Sequence, residues 1–526
     1  MLYRAFATVG GLTMVSRLLG FIRDILIAAT LGSGVVADAF FVAFRFPNLF
    51  RRLFGEGAFN AAFVPLFAKR LEGEGEGEAR RFAEEAMSVL FFSLLVLSAL
   101  IMLAMPWLMV LLAPGFVTDP AKYDLAVRLS QIAFPYLLCM SIAALLSGVL
   151  NSLNRFWAAA AAPILLNIVL IAAISLAIWL GYTERFGAGV ILAVGVAIAG
   201  VAQLAMLWVA VRAAGLKLKL RWPRYTAGVK RLVELGIPGV IAGGITQINI
   251  VVGTMIATLQ AGAVSYLYYA DRLYQLPLGI VGVAIGVVLL PDLSRKLRAG
   301  EHATAMHSQN RSLEVALLLT IPAAVALGVA AEPIIRVLFE RGAFTAADTA
   351  ATAPALAAFA IGLPAFVLIK VFQPAFFARE DTKTPMRFAA VNMIVNVIGS
   401  LALFFMFKQM GYLPHVGIAL ATSVAGWVNA LLLWGTLSHR GDFAGDRRLV
   451  RNLPIITAAS IAMGAVLWFA LPLLAPYYAT EANLLVQMAA LAAIVSLGLI
   501  VFFGLVLATG VLDLRNLAGT ARDRTA

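Results

Sequence analysis

The run AFATVGGLTMVSRLLGFIRDILIAATL, residues 5–31, decides the fold, because it has the length of a membrane span and carries charges in its interior. A helix needs about 20 mostly apolar residues to cross the hydrocarbon of a bilayer. Arg17 lies about midway along the run, and Arg23 and Asp24 follow within two helical turns. A charged side chain that faces lipid at this depth costs at least about 2.5–3.5 kcal/mol, so we expect these groups to face a cavity.

Apolar runs of this length recur throughout the 526 residues. The chain is 62% hydrophobic and 13% charged, whereas a soluble domain is about half apolar and a quarter charged, so a water-soluble fold is excluded. We predict an all-α membrane protein with about 14 transmembrane helices. The predicted spans are 5–31, 36–67, 83–112, 124–150, 156–180, 187–212, 228–258, 263–293, 309–331, 347–377, 385–407, 413–437, 451–473 and 482–509.

The net charge of +13 is spread over alternate loops and is not gathered in one patch. Most Lys and Arg residues follow the even-numbered spans, which is the pattern of the positive-inside rule and places both termini in the cytoplasm. This distribution argues against nucleic acid as a partner. The single cysteine, Cys139, excludes a disulfide framework, and the four scattered histidines do not suggest a metal site.

An internal repeat emerges when the chain is shifted on itself by about 229 residues, which places Pro135 on Pro364 and Asn167 on Asn396. Six spans separate equivalent points, so the halves are parallel. We therefore predict an N-terminal lobe over 1–220, a C-terminal lobe over 221–440, and two further helices with a cytoplasmic tail over 441–526. The substrate site is expected between the lobes.

Several other ionisable side chains also fall within predicted spans, and the basic ones outnumber the acidic ones. The second span is broken by proline and glycine, and charges cluster at the breaks, where freed backbone must be buried in protein or line water. Because guanidinium groups suit bidentate recognition of phosphate, we expect an anionic substrate such as a diphosphate. Alternatively, these cations pair with neighbouring carboxylates or extend to the membrane interface. The set comprises Arg17, Arg23, Arg51, Arg52, Arg272, Lys370, Asp24, Asp38, Glu56 and Asp271.

The chain resembles the MurJ (MviN) lipid II flippase family of the multidrug/oligosaccharidyl-lipid/polysaccharide exporter superfamily. The resemblance runs essentially end to end, and its most specific part is the first two spans. It implies two six-helix lobes facing a cationic chamber, two C-terminal helices forming a groove for the undecaprenyl tail, and alternating access. The motifs that carry it are SRLLGFIRD at 16–24, DAFFVAF at 38–44, PNLFRR at 47–52, GEGAF at 55–59, YADRL at 269–273 and KTP at 383–385.

The resemblance also implies roles for individual residues. Substrate-binding roles, with the arginines on the diphosphate, fall on Arg17, Arg23, Arg272 and Lys370. Gating or orienting roles fall on Asp24, Asp38, Arg51, Arg52 and Glu56. One departure is Gln275, where some relatives have an acidic residue, so a salt bridge from this position to Lys370 is not expected here.

The predicted partner is lipid II, an undecaprenyl diphosphate-linked disaccharide pentapeptide, carried from the inner to the outer leaflet of a bacterial cytoplasmic membrane. The prediction is a monomeric transporter among membrane lipids, with no catalytic residues, metal or cofactor, coupled to membrane potential or a monovalent cation. Three alternatives remain open: an exporter of another polyprenyl-diphosphate saccharide, a cation-coupled drug exporter, and a non-transporting membrane scaffold or receptor.

Overall fold

The computed structural model describes residues 2–51, 58–183 and 186–512, and every regular element within these ranges is a helix. The α-helices are α1 Leu2–Leu31, α2 Val35–Arg51, α3 Ala58–Gly73, α4 Glu76–Leu112, α5 Pro120–Ala133, α6 Tyr136–Ser152, α7 Trp157–Trp179, α8 Phe186–Ala213, α9 Ala227–Ala257, α10 Ala263–Arg298, α11 His302–Val329, α12 Ala331–Phe339, α13 Ala346–Phe377, α14 Lys383–Gln409, α15 Pro414–His439, α16 Arg447–Tyr478 and α17 Leu484–Ala508. A short 3-10 helix, Pro114–Thr118, links α4 to α5.

Each predicted span coincides with one helix or with two consecutive helices. Within the described ranges, ten helical segments are long and apolar enough to cross a membrane, with α5 and α6 taken together. The multi-pass character of the chain is therefore confirmed, whereas the count of fourteen stays a prediction.

The helix boundaries differ from the predicted spans at three places. The second span divides into α2, which ends at Arg51, and α3, which begins at Ala58. The fourth span divides into α5 and α6 at Phe134 and Pro135, where the proline has no backbone N–H to continue the helical ladder. The nine-residue helix α12 was not predicted at all.

The described residues form two compact units. Unit 1 lies within Met1–Ser265 and includes Arg341–Phe344, whereas unit 2 lies within Tyr266–Glu340 and Thr345–Ala526. This boundary falls one helix and its loops later than the predicted division at 220, because α9 packs against α3 and α4 of unit 1. The pseudo-symmetric lobes over 1–220 and 221–440 remain a prediction.

Each unit has its own apolar core. In unit 1, a buried cluster joins α3, α4, α6, α7 and α8 around Phe63, Phe67 and Phe82, whose rings stack. In unit 2, one cluster joins α10, α11, α13 and α15, and a second packs α16 and α17 against α11 and α12. The two C-terminal helices are thus an integral part of unit 2.

Each unit also contains a buried glutamate that holds a later segment of the chain. In unit 1, Glu84 at the start of α4 accepts a hydrogen bond from the backbone N–H of Lys219 at 3.1 Å. In unit 2, Glu314 in α11 accepts from the side chains of Arg448 at 3.2 Å and Asn452 at 2.6 Å. The two glutamates correspond, to within one residue, under the shift of about 229 residues, as a duplicated helical unit predicts.

Candidate functional site

The charged middle of α1 packs against α7 through a buried polar junction. Ser16, Gly20 and Arg23 lie on one face of α1, at the spacing of four and three residues that brings helical side chains together. Arg23 donates to Asp24 from Nε at 3.0 Å and from Nη2 at 2.7 Å, and its Nη1 donates to Oδ1 of Asn167 at 2.8 Å. The Asn167 amide in turn donates to the Ser16 carbonyl at 2.9 Å.

Within this junction, the charges of Arg23 and Asp24 neutralise each other. Arg23 and Asp24 are both buried, and their ion pair measures 2.7 Å. A Cβ at Gly20 would lie 3.5 Å from the Asn167 amide nitrogen, which is an ordinary van der Waals distance, and α1 continues through Gly20 as one helix. Arg23 is thus an anchored cation, whose guanidinium is oriented by Asp24 and Asn167.

Arg17 differs from Arg23 in both exposure and partners. Its side chain is exposed, and it has no hydrogen bond or ion pair with the residues the structure describes. It lines a groove of about 360 Å³ within unit 1, together with Thr13, Ser16, Asn151 and Phe156. An unneutralised guanidinium beside hydroxyl and amide groups is suited to an anionic, hydroxyl-bearing ligand.

Asp38, in the first turn of α2, is fully buried and accepts four hydrogen bonds. Lys122 Nζ from α5 lies 2.6 Å from its Oδ2, which also accepts from the Gly262 N–H at 2.9 Å. Its Oδ1 accepts from the N–H and the hydroxyl of Ser265, at 3.0 and 2.7 Å. One carboxylate therefore joins α2, α5 and the beginning of α10.

Arg272 lies on α10, one turn after Tyr268. Its guanidinium carbon is 4.5 Å from the centre of the Tyr268 ring, and its Nη2 is 3.0 Å from the Tyr268 hydroxyl. The neighbouring carboxylate of Asp271 accepts a hydrogen bond from the Gln275 amide. The neutral side chain of Gln275 is thus held by a carboxylate of its own helix, α10.

Lys370 is exposed near the end of α13, four residues before Pro374. It has no hydrogen bond or ion pair among the residues that are described. Its aliphatic stem lies beside Gly282 of α10, where a Cβ would be 3.5 Å from Lys370 Cγ. Lys370 and Arg17 therefore share the absence of a hydrogen bond or ion pair with the described residues.

The gate region predicted in the second span is only partly described. Arg51 is the last residue of α2, and its side-chain placement is not described, whereas Arg52 and Glu56 lie outside the described residues. Arg45, which precedes Arg51 on α2, donates a hydrogen bond to the Thr254 hydroxyl of α9.

Sequence reasoning did not identify two of the residues that build these sites. Lys122 falls between the third and fourth predicted spans, yet it is a buried partner of Asp38 and its Nζ also lies 4.3 Å from the centre of the Phe116 ring. In the sequence, Asn167 stands out only as the counterpart of Asn396 in the repeat. The one available signal for Lys122 was its position in a loop on the side of the membrane where loops contain few basic residues.

The described residues contain no group of three His, Cys, Asp or Glu side chains able to hold a metal ion. Their polar groups can bind and orient an anion, with Arg17 and Lys370 supplying positive charge and Arg23 held in place by its partners.

Comparisons with known proteins agree on one family. The family described as lipid II flippase MurJ matches residues 27–508. A probable lipid II flippase MurJ from Rhizobium meliloti (strain 1021) is 51% identical over 510 residues, which cover 97% of this chain and 94% of that protein. A lipid II flippase MurJ from Burkholderia cenocepacia is 35% identical over 482 residues, covering 89% of this chain and 90% of the other.

Solved structures show a similar helical arrangement. The structure described as lipid II flippase MurJ in an inward closed conformation has a TM-score of 0.76 at 26% identity, and covers 94% of this chain and 97% of that one. An inward-facing multidrug resistance MATE family transporter of the MOP superfamily has a TM-score of 0.62 at 14% identity, and covers 83% and 98%. The second likeness concerns the fold alone.

Proposed function

The chain belongs to the lipid II flippase MurJ family, and from that premise we propose that it translocates lipid II from the inner to the outer leaflet of a bacterial cytoplasmic membrane. The observation that carries the proposal from the chain's own residues is the exposed Arg17 in its groove, beside an Arg23 that is held by two partners. A lipid-linked diphosphate is an anion whose two phosphates present oxygen atoms to such guanidinium groups.

We assign the diphosphate to the cationic side chains of α1, α10 and α13, namely Arg17, Arg23, Arg272 and Lys370. A phosphate reaches Arg17 and Lys370 without displacing a partner, since neither has a hydrogen bond or ion pair with the described residues. Asp24 orients Arg23, whereas Asp38 fixes the beginning of α10 through three of its four hydrogen bonds, which come from Gly262 and Ser265. Arg51, Arg52 and Glu56 are assigned to a gate on the second span.

The proposed topology has fourteen spans with both termini in the cytoplasm, as the distribution of Lys and Arg between loops favours. The transporter works by alternating access as a monomer without a catalytic step. Membrane potential or a monovalent cation drives the cycle.

An exporter of another polyprenyl-diphosphate saccharide is the nearest competing function, because the same cations would bind its diphosphate. A drug exporter for cationic amphiphiles is disfavoured, since such a substrate needs unpaired carboxylates. In the described residues, Asp24 and Asp38 are both paired with basic side chains at 2.6–2.7 Å.

Depletion in the host separates these functions. Loss of the protein should stop peptidoglycan synthesis and cause lipid II to accumulate, whereas accumulation of a different lipid-linked saccharide would contradict the proposal. Arg17→Gln should fail to restore growth although it inserts normally. The matched control Arg80→Gln removes an exposed cation at the beginning of α4 and should restore growth fully.

A further inference from the structure

The segment that follows α8 carries an outward-facing basic surface with no assigned role. Residues 214–226 form an irregular, extended connection between α8 and α9. Leu216 and Leu218 are buried in the core of unit 1, and the intervening Lys217 and the following Lys219 are exposed. This alternation, at the two-residue period of extended chain, directs the lysines away from the protein.

The backbone of this segment is fixed to α4, so its shape is set by the protein. The N–H of Lys219 donates to Glu84 Oε1 at 3.1 Å, and the N–H of Arg221 donates to the Ser88 hydroxyl at 2.9 Å. The Arg221 side chain forms an ion pair with Glu84 at 2.6 Å. These contacts use main-chain groups and one arginine, and they leave the remaining cations of the segment available.

Trp222 places the segment at the edge of the apolar band. The residue is 78% exposed, and its ring centre lies 5.5 Å from that of Phe92 on α4. Beyond Phe92, α4 exposes Leu95 and Val96, the beginning of an exposed apolar surface that continues for several turns. Exposed Trp and Tyr side chains in this position are typical of the membrane–water interface.

Three other cations of this segment have no ion partner among the described residues. Lys217, Lys219 and Arg224 are exposed and form no ion pair with the described residues, and Tyr225 beside Arg224 is 67% exposed. Their ammonium and guanidinium groups therefore lie at the level where phospholipid headgroups carry phosphate. Each basic residue close to an anionic membrane surface strengthens binding about fivefold.

We propose that residues 215–225 form a preorganised binding site for anionic phospholipid headgroups of the adjacent leaflet, with Lys217, Lys219 and Arg224 on the phosphates and Trp222 at the acyl boundary. The site is separate from the groove at Arg17. It secures the beginning of α9, because Thr226 both caps that helix and donates to Glu85 at 2.8 Å. The inference does not rest on the identity of the transported substrate.

Native mass spectrometry of the full chain in a neutral detergent tests the proposal, with phosphatidylglycerol and phosphatidylcholine added at equal mole fractions. The wild type should retain phosphatidylglycerol in preference. The variant K217Q/K219Q/R224Q should bind it about 100-fold more weakly, at about fivefold for each lost cation. The control R80Q/R295Q/R298Q removes three exposed cations from the beginning of α4 and the end of α10 and should retain the wild-type preference.

A second measurement does not depend on the folding of the triple variant. In liposomes, brominated phosphatidylglycerol should quench wild-type tryptophan fluorescence more than it quenches Trp222→Phe, and brominated phosphatidylcholine should show a smaller difference. Equal retention of the two lipids by the wild type would overturn the proposal. So would equal losses in the two triple variants, or quenching that is unchanged by Trp222→Phe.

Discussion

Replacing Asp38 by asparagine should destabilise the protein strongly, because the carboxylate anchors three helices. Asp38 is fully buried, and its partner Lys122 has a side chain only 7% exposed. Asparagine keeps the shape but removes the charge, so the Lys122 ammonium is left buried without a counter-charge. In addition, the amide NH2 would face the Gly262 N–H or the Ser265 N–H, which are donors that need an acceptor.

The magnitude follows from the cost of breaking a buried ion pair on one side, which is about 3–5 kcal/mol. If unit 1 melts cooperatively, the melting temperature should fall on the order of 10 °C. Lys122→Met should also destabilise, since it leaves the Asp38 carboxylate with three hydrogen bonds and no cation. The double variant should be at least about 1 kcal/mol more stable than the sum of the single changes, because neither charge then remains alone.

Thermal unfolding of the purified chain in a neutral detergent measures all three variants. Asp124→Asn is the matched control, since Asp124 lies two residues after Lys122 on α5 and is exposed, and its melting temperature should match that of the wild type. Additive single and double effects would refute the ion-pair reasoning. An Asp38→Asn variant with wild-type stability and no transport would refute the anchoring role in favour of gating alone.

Three further predictions concern other parts of the chain. Gly115→Ala should cost about 1–3 kcal/mol, seen as a lower melting temperature, because a Cβ there would lie 2.0 Å from a backbone carbonyl oxygen at the end of α9; unchanged melting would contradict this close approach. Hydrogen bonding to Arg440 lowers the pKa of the loop carboxyl Asp381 to about 2, so its contribution to stability is present above about pH 4 and is lost as the pH falls toward 2. Asp381→Asn should flatten the pH dependence of melting in that window, and an unaltered profile would contradict the assignment. Lys370→Gln should reduce lipid II translocation at least tenfold without lowering the melting temperature. Lys408→Gln, which also changes an exposed lysine, should reduce neither the translocation rate nor the melting temperature. Equal translocation rates for the two variants would contradict a binding role for Lys370.

The predicted spans agree well with the helices because a membrane span leaves a long apolar signal in the sequence. Helix α7, for example, begins and ends within one residue of the prediction. The short helix α12 left no such signal, since its nine residues carry Glu332 and Arg336. The division of a span at Pro135 was not predicted either, because a proline does not by itself end a helix. Pro364, its counterpart in the repeat, lies within a continuous α13.

The site was less predictable, because its residues are paired by tertiary contacts. The sequence points to Arg17 and Arg23 equally, yet only the packing of α7 decides that Arg23 is held by Asn167, 144 residues away, and that Arg17 is exposed. Lys122 and Asp38 are 84 residues apart, and charge counting treats the lysine as an exception to the loop pattern. Local patterns identify a buried charge but not its partner.

Translocation of lipid II by the reconstituted protein tests the central claim most directly. Liposomes containing lipid II on the inner leaflet are followed with a reagent that reaches only outer headgroups, and wild type is compared with Arg17→Gln and Arg80→Gln. Wild type and Arg80→Gln should expose the inner pool, and Arg17→Gln should do so at least tenfold more slowly. An inner pool that stays inaccessible with the wild type, or an Arg17→Gln rate equal to wild type, would contradict the account.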